Sequence, residues 1–334
     1  MKDSNSAVRL ARVVMALTLT SLALAACGGG SGTADLEPAS ASAVGASPAV
    51  AGDPNTDKLA QVLARGTLVL STDLEYPPQS MAVEGAARTP GTKCAATELT
   101  AAEVAGYDAD TGKAVAERLG LEPCFVAPDW SEVVSGKWGD RWDVAWGSGN
   151  INADRMTRLW MTQPYRAEPS RFFVRDDAAY QAPAELSGKK VGACAGCTHE
   201  AYLKKTLTLP GISFENPVVD PQVATFDVER SGMKAVADGK IDAFLSAEQV
   251  GQEAIASGLP LRALDPPAFT GMLTGFVDKS SGLDSKAFVE RIDEVMAGLH
   301  ADGTMKSLSE KYFGTDYATA AGNFDLGLIG QTLN

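Results

Sequence analysis

The residues best suited to chemistry gather in one stretch, 129–165, DWSEVVSGKWGDRWDVAWGSGNINADRMTRLWMTQPY. It carries all five tryptophans, at 130, 138, 142, 146 and 160. Between the last two lies GSGNINADR, residues 147–155, which reads as a strand end, a polar turn and the first turn of a helix. Asn152 is the expected N-cap, Asp154 is placed to favour the helix dipole, and Arg155 projects from the first turn. Free backbone donors of this turn, together with a guanidinium fork, make a receptor for a carboxylate. The competing reading makes Arg155 an ordinary solvated helix residue. Trp130 is expected to line the pocket and Trp146 to face either the pocket or the core, whereas Trp138, Trp142 and Trp160 read as structural. If Trp130 and Trp146 both face a cleft with Asp73 and Glu75 nearby, a cationic or quaternary ammonium group could stack there. Asp73 and Glu75 serve equally well as turn caps.

A second group of reactive residues comprises Cys94, Cys124, Cys194, Cys197 and His199. With Cys27 set aside, an even number of cysteines in an exported chain suggests two disulfides. Of the three connectivities, spacing favours 94 with 124 and 194 with 197. Zinc held by Cys194, Cys197 and His199 is the alternative, although it lacks a fourth ligand. A redox dithiol at a helix N-terminus is a further reading. Haem attachment fails because Thr198 separates Cys197 from His199. No metal or cofactor is expected, and His300 reads as a surface helix residue.

The amino terminus opens with Lys2, Arg9 and Arg12, followed by an apolar run ending in LAAC. That run is shorter than the roughly 20 residues needed to span a bilayer and reads as a cleaved signal, residues 1–26. Leu24-Ala25-Ala26-Cys27 is similar to the bacterial lipobox, which implies lipidation of Cys27. Residues 27–56, rich in Gly, Ala, Ser and Pro, form a flexible tether. The formal charge of -13 counts against nucleic acid, because neutralising phosphates needs clustered Lys and Arg.

The remaining pattern alternates strand and helix. An amphipathic helix from 57 stops at Gly66, and TLVLSTD follows as a buried strand. Residues 79–105 form a long connection, pinned if Cys94 bonds Cys124. GKAVAERL is a helix and EPCFVAP a strand, which makes a right-handed crossover. The order then repeats, with strands in LSGKKVGACAGC, SFENPVV and KIDAFLSAEQ and helices in THEAYLKKTL, GMKAVADG and VGQEAIASG. Two closing helices lie in 285–314, and 315–334 reads as a loosely held tail. Two α/β units joined by extended crossovers near 163–172 and 262–277 make a bilobed body. Lobe 1 takes residues 57–165 and 270–314, and lobe 2 takes 166–269. Ligands of such sheets bind at the carboxyl ends of strands, where Asp73, the 147–150 turn, 194–198 and Ala247 to Glu248 would face each other.

At this point the chain resembles the family 3 extracellular solute-binding proteins, amino-acid receptors of bacterial ABC importers. The likeness rests on GTLVLSTDLEYPP, GYDADTGKAVAERLG, WGSGNINADRMTRLWMTQPY, KKVGACAGCTHEAYLKK and HADGTMKSLSEKYFG, in the family's order. It implies the type II periplasmic binding protein fold, in which two α/β lobes hold the ligand in the cleft between them. It also implies that Arg155 grips a ligand carboxylate with help from Gly147, Ser148 and Asn150, and that Cys197 and Thr198 add donors. Asp73 and Tyr76 would line the side-chain pocket, Trp130 would form an aromatic wall, and Cys194 and His199 would reach the pocket. One departure concerns the end of IDAFLS, where the family carries an aspartate for the ligand ammonium and this chain has Ala247. Glu248 or Asp73 would then take over, or the ligand is not a standard α-amino acid.

The resemblance implies a monomeric, non-enzymatic receptor, lipid-anchored in the cell envelope through Cys27, that closes on a small carboxylate ligand and hands it to ABC permease subunits. A polar or cationic amino acid is the expected ligand. The alternatives are a betaine or quaternary ammonium receptor and a cyclohexadienyl-dehydratase-like enzyme on the same scaffold, with Glu248 or Glu75 as its acid.

Overall fold

The computed structural model describes residues 52–331 and 333; the signal-like run, Cys27 and nearly all of the tether lie outside the described residues. The first elements are α1 (Lys58–Arg65), β1 (Thr67–Ser71), β2 (Glu75–Tyr76), β3 (Ser80–Ala82), β4 (Leu99–Thr100), β5 (Val104–Ala105), α2 (Tyr107–Arg118) and β6 (Glu122–Val126). Next come α3 (Trp130–Ser135), β7 (Val144–Asn150), α4 (Ala153–Met156), β8 (Leu159–Met161), β9 (Arg166–Arg175), β10 (Lys190–Cys194) and α5 (Thr198–Leu203). The chain continues through β11 (Gln222–Phe226), α6 (Glu229–Ala237), β12 (Ala243–Ala247), α7 (Glu248–Ala256), β13 (Leu261–Ala263) and β14 (Phe269–Asp278). It closes with α8 (Lys286–Ala301), α9 (Thr304–Phe313) and α10 (Ala318–Gly322). None of the described helices is long and apolar enough to cross a membrane.

Local sequence explains the ends of these elements. Asp57 caps α1 by accepting from the Ala60 amide, and Gly66, at φ 76°, ends it in the left-handed conformation. β1 is buried along its whole length because parallel neighbours β6 and β7 flank it and both faces are covered. Asn152 caps α4 by accepting from the Arg155 amide at 2.8 Å.

The main sheet runs β11-β10-β12-β9-β14-β7-β1-β6-β4, with β13 on β9 and β8 on β14. The ten-residue strands β9 and β14 pair antiparallel in its middle and join the half built on β1, β6 and β7 to the half built on β10, β11 and β12. Period-two alternation sends residues to a different core on each face. Leu68 and Leu70 pack with Tyr107, Phe288 and Ile292 under α2 and α8, while Val69 packs with Trp138, Trp142 and Phe276. In the other half Ala243 and Leu245 pack with Tyr202, and Phe244 packs with Met233 and Phe173.

Two expectations need correction. SFENPVV is not a strand: Pro217 lacks an N–H, and the Glu215 carbonyl and Asn216 side chain bond Tyr202 instead, so the strand forms at β11. The 79–105 connection is pinned by the Cys94–Cys124 bond, as expected, and also carries β3, β4 and β5. The carboxyl-terminal segment is not loose. Ala318 and Ala321 are fully buried, the Ala167 amide donates to the Tyr317 carbonyl, and the Gln331 side chain bonds both backbone groups of Met161.

Gly251 lies inside α7, where alanine ordinarily gains about 1 kcal/mol over glycine. Here an added Cβ would meet the Phe173 ring at 1.9 Å, and that ring is fully buried. Gly251→Ala is therefore expected to destabilise by about 1–3 kcal/mol in a denaturant titration. An unchanged or raised midpoint would show that the Phe173 contact does not constrain α7.

Candidate functional site

A cavity of about 500 Å³ opens where the strand ends of the two halves face each other. From the β1 half it is lined by Asp73, Tyr76, Trp130, Gly147, Ser148, Asn150 and Arg155, and from the β10 half by Cys194, Cys197, Thr198 and His199. The halves touch beside it, since Asn150 Nδ2 donates to Thr198 Oγ1 at 3.2 Å and the Ala153 amide to the Thr208 carbonyl at 3.1 Å.

Arg155 is 3 % exposed and projects from α4 between the rings of Trp130, at 4.9 Å, and Phe276, at 5.7 Å. Its Nη1 donates to the Asn150 carbonyl at 2.9 Å. The adjacent carboxylate, Asp154, is committed to Arg158 at 2.6 Å, so the guanidinium has no ion-pair partner of its own among the described residues. Burial lowers its pKa to about 10, which measures how poorly the cation is compensated. An anion entering the cavity would restore that compensation.

The turn before Arg155 contributes less than its sequence suggests. Ser148 adopts a left-handed backbone, φ 53°, and both of its donors are spent: the amide on Tyr165 Oη at 2.8 Å and the hydroxyl on Asp108 Oδ2 at 2.6 Å. Ser148 thus shapes the wall, and its donors do not serve a ligand. On the opposite side Cys197 precedes α5 without a side-chain cap, which leaves first-turn amides of that helix open to another acceptor.

Cys194 and Cys197 are joined by a disulfide. Sulfurs bonded to each other supply no thiolates, so the zinc reading is set aside. His199 lies against both sulfurs, with Nδ1 3.5 and 3.6 Å from them, and its Nε2 meets Ser170 Oγ at 3.0 Å. Burial, with the charge of Arg155 adding to it, lowers its pKa to about 3, so the imidazole is neutral.

Two expected site residues do not reach the cavity. Trp146 is 1 % exposed; strand alternation turns it with Val144 into the core under α2, stacked on Tyr165 at 5.0 Å, with Nε1 donating to Thr111 at 3.0 Å. A paired-tryptophan cage for a quaternary ammonium is therefore not formed, and Trp130 already presents its face to Arg155. Glu248 begins α7 and is held by Arg171 at 2.6 Å and by Tyr317 Oη at 3.3 Å, away from the cavity lining. Ala247, just before it, is fully buried. His300 is half-buried and bonds the Pro164 carbonyl at 2.8 Å.

Sequence reasoning missed two buried acids in the lining. Glu168, on β9, pairs with Arg166 at 2.8 Å. Glu229, the first residue of α6, is 9 % exposed and accepts from Ser246 Oγ, and its other oxygen stands 3.7 Å from His199 Nδ1. The one signal for Glu168 was a charged residue inside the crossover RAEPSRFF, and Glu229 looked like any acid at a helix start.

Residues 94–315 match the model of the bacterial extracellular solute-binding proteins, family 3. The chain belongs to this family. It is 23% identical over 260 residues to the L-cystine-binding protein TcyJ of Escherichia coli, covering 77% of this chain and 86% of that protein. It is 22% identical over 215 residues to ABC transporter arginine-binding protein 1 of the same species, covering 63% and 82% of the two chains. Among solved structures, a mutant of ArgBP from T. maritima superposes with a TM-score of 0.61 at 20% identity, over 77% of this chain and all of that one. An ancestral amino-acid-binding protein, a precursor of cyclohexadienyl dehydratase, superposes with a TM-score of 0.61 at 21% identity, over 77% and 99%. The fold is that of the type II periplasmic amino-acid-binding proteins.

In this family 3 protein the cavity is electrically divided. Arg155 supplies an uncompensated cation, while Glu229 sits with a neutral histidine and a hydroxyl. Burial raises the Glu229 pKa to about 8, with Glu168 and Asp73 adding to the rise against the opposing bond from Ser246. The native carboxyl therefore keeps a proton that the unfolded chain loses near 4.5, and stability falls as pH rises through that window. In ligand-free protein, Glu229→Gln is expected to leave the melting temperature little changed at pH 5 and to raise it by several degrees over wild type at pH 9. Parallel curves for the two proteins across that range would refute the assignment.

Proposed function

We propose that this protein is the substrate-binding lipoprotein of an ABC importer, and that it captures a polar or cationic amino acid by closure of two lobes about the β9 and β14 crossovers. The observation that carries this reading is the buried, unpaired guanidinium of Arg155 at the wall of a cavity of amino-acid size. Family membership and relatives named for amino acids and ABC transport support it. The preference for a polar or cationic ligand follows from the lining, where Asp73, Glu75, Asp129, Glu168, Asp227 and Glu229 face a single cation, Arg155. Closure would place Arg155 and Thr198, from opposite lobes, on the same carboxylate. The protein performs no chemistry in this account: Glu248, the acid a dehydratase reading would use, is engaged with Arg171 outside the cavity. It acts as a monomer that docks on permease subunits.

Thermal unfolding of ligand-stripped protein against a panel of amino acids, betaines and small carboxylates tests this directly. A ligand at 100 times its dissociation constant adds about 2.7 kcal/mol of stability. Stabilisation by polar or cationic amino acids is expected, and silence across the amino acids would overturn the reading. Arg155→Ala should weaken binding of the stabilising ligand by about 2–5 kcal/mol, thirty-fold or more. Arg155→Lys, which keeps the charge and loses the fork, should fall between. Equal affinity in all three proteins would remove Arg155 from the site.

Anchoring is tested separately. We infer from Leu24-Ala25-Ala26-Cys27 that Cys27 carries the lipid. Cys27→Ser is expected to move the protein from the membrane fraction to the soluble extracytoplasmic fraction, and retention on the membrane would exclude this cysteine as the anchor.

A further inference from the structure

We propose that Glu229 receives the α-ammonium of the ligand, reaching from the start of α6 to the carboxyl end of β12, where Ala247 offers no charge. This rests on the amino-acid reading above.

The argument begins with position. Glu229 lines the cavity, and its carboxylate is fixed at the end of β12 by Ser246, the residue before Ala247. A chain of contacts through His199 links it to the carboxylate receptor. His199 follows Thr198 in α5 and lies 3.7 Å from Glu229, Thr198 accepts from Asn150, and the Asn150 carbonyl accepts from Arg155. An α-amino acid carries its ammonium one carbon away from its carboxylate, so the acid that serves the ammonium must lie close to the group that serves the carboxylate. Asp73 and Glu75 are exposed on the other half, and Asp73 is occupied with the Glu75 amide at 2.8 Å. They suit the ligand side chain instead.

Charge supports the same choice. Glu168, the other buried acid, is neutralised by Arg166 at 2.8 Å. The groups facing Glu229 are His199 from α5, Ser246 from β12, Glu168 with Arg166 from β9, Asp73 from the segment after β1, and Tyr76 from β2. Histidine is neutral here, so no cation within ion-pair distance compensates Glu229 among the described residues. A buried carboxyl in such surroundings holds its proton until a cation arrives. Ligand binding should then release a proton, and affinity should rise with pH below the titration of Glu229.

The test is calorimetric titration of the full-length protein with three pairs of compounds. These are L-arginine and 5-guanidinopentanoate, L-histidine and 3-(imidazol-4-yl)propanoate, and L-cystine and 3,3′-dithiodipropionate, each pair differing in the α-ammonium. For whichever pair binds, wild type is expected to prefer the amino acid, strengthening by up to about tenfold per pH unit between pH 6 and 8. Glu229→Gln, close in shape and checked for folding by its melting temperature, should lose about thirty-fold or more for the amino acid. It should change the deaminated partner by no more than about threefold and abolish the pH slope. A Gln variant that keeps both the preference and the slope would overturn the assignment. Silence of wild type towards these six compounds and towards every amino acid of the thermal panel would overturn the amino-acid reading itself, and the assignment with it.

Discussion

The whole structure depends on the antiparallel ladder between β9 and β14, which pairs Arg166 with Leu273 through to Ser170 with Phe269. On either side of that ladder the two strands part company. β14 continues against β7 and β8, and β9 continues against β12 and β13. The same two strands thus belong to both cores, and the cavity lies where their neighbours diverge. Arg166 sits at the start of this ladder with no exposure, between the rings of Tyr107 at 5.4 Å and Phe313 at 4.7 Å, and reaches Gln249 of α7 at 3.2 Å. A buried pair such as Arg166 with Glu168 is weak evidence for stability, since its desolvation offsets most of its attraction. Its consequence here is positional, because it holds one acid of the cavity still and already neutralised.

That commitment divides the buried charges into two kinds. Arg166, Glu168 and Asp108 answer one another: Arg166 lowers the Asp108 pKa against a burial effect that still leaves it at about 7. Arg155 and Glu229 answer nobody in the described structure. Neither has a charged partner there, and under the proposed function a zwitterionic ligand would supply one to each. On that proposal the site favours separated opposite charges before any side-chain pocket is considered.

Much of the scaffold was legible because its signals were local. Asp57 and Asn152 as caps, Gly66 as a stop, the apolar TLVLS strand and the long crossovers depend on neighbours within a few residues, and Arg155 was placed by the turn and helix start beside it. The errors share a different cause. The face of Trp146 is open in the sequence because one step of strand alternation decides it, and that step is set by which face α2 covers. Glu248 was credited for following the strand end directly, but the first residue of a helix points where the helix axis sends it. Glu229 was invisible because its importance comes from Ser246 and His199, 17 and 30 residues away in sequence. Ser148 carried the right residue type in the right turn; only the pairing of its donors with Tyr165 and Asp108 reveals that they are unavailable.

The carboxyl-terminal segment explains why Glu248 could be withdrawn from ligand duty. Tyr317 places its carbonyl on the Ala167 amide of β9 and its hydroxyl on Glu248, which also holds Arg171. Further along, Leu328 packs over Gly211 of the β10 half, and Gln331 bonds Met161 of β8 in the other. The segment consequently runs alongside the β9–β14 crossing and touches both halves. Glu248 belongs to that crossing, where its charge is matched by Arg171. An acid already matched in this way gains little from a ligand ammonium, while Glu229, buried and unmatched, gains the most.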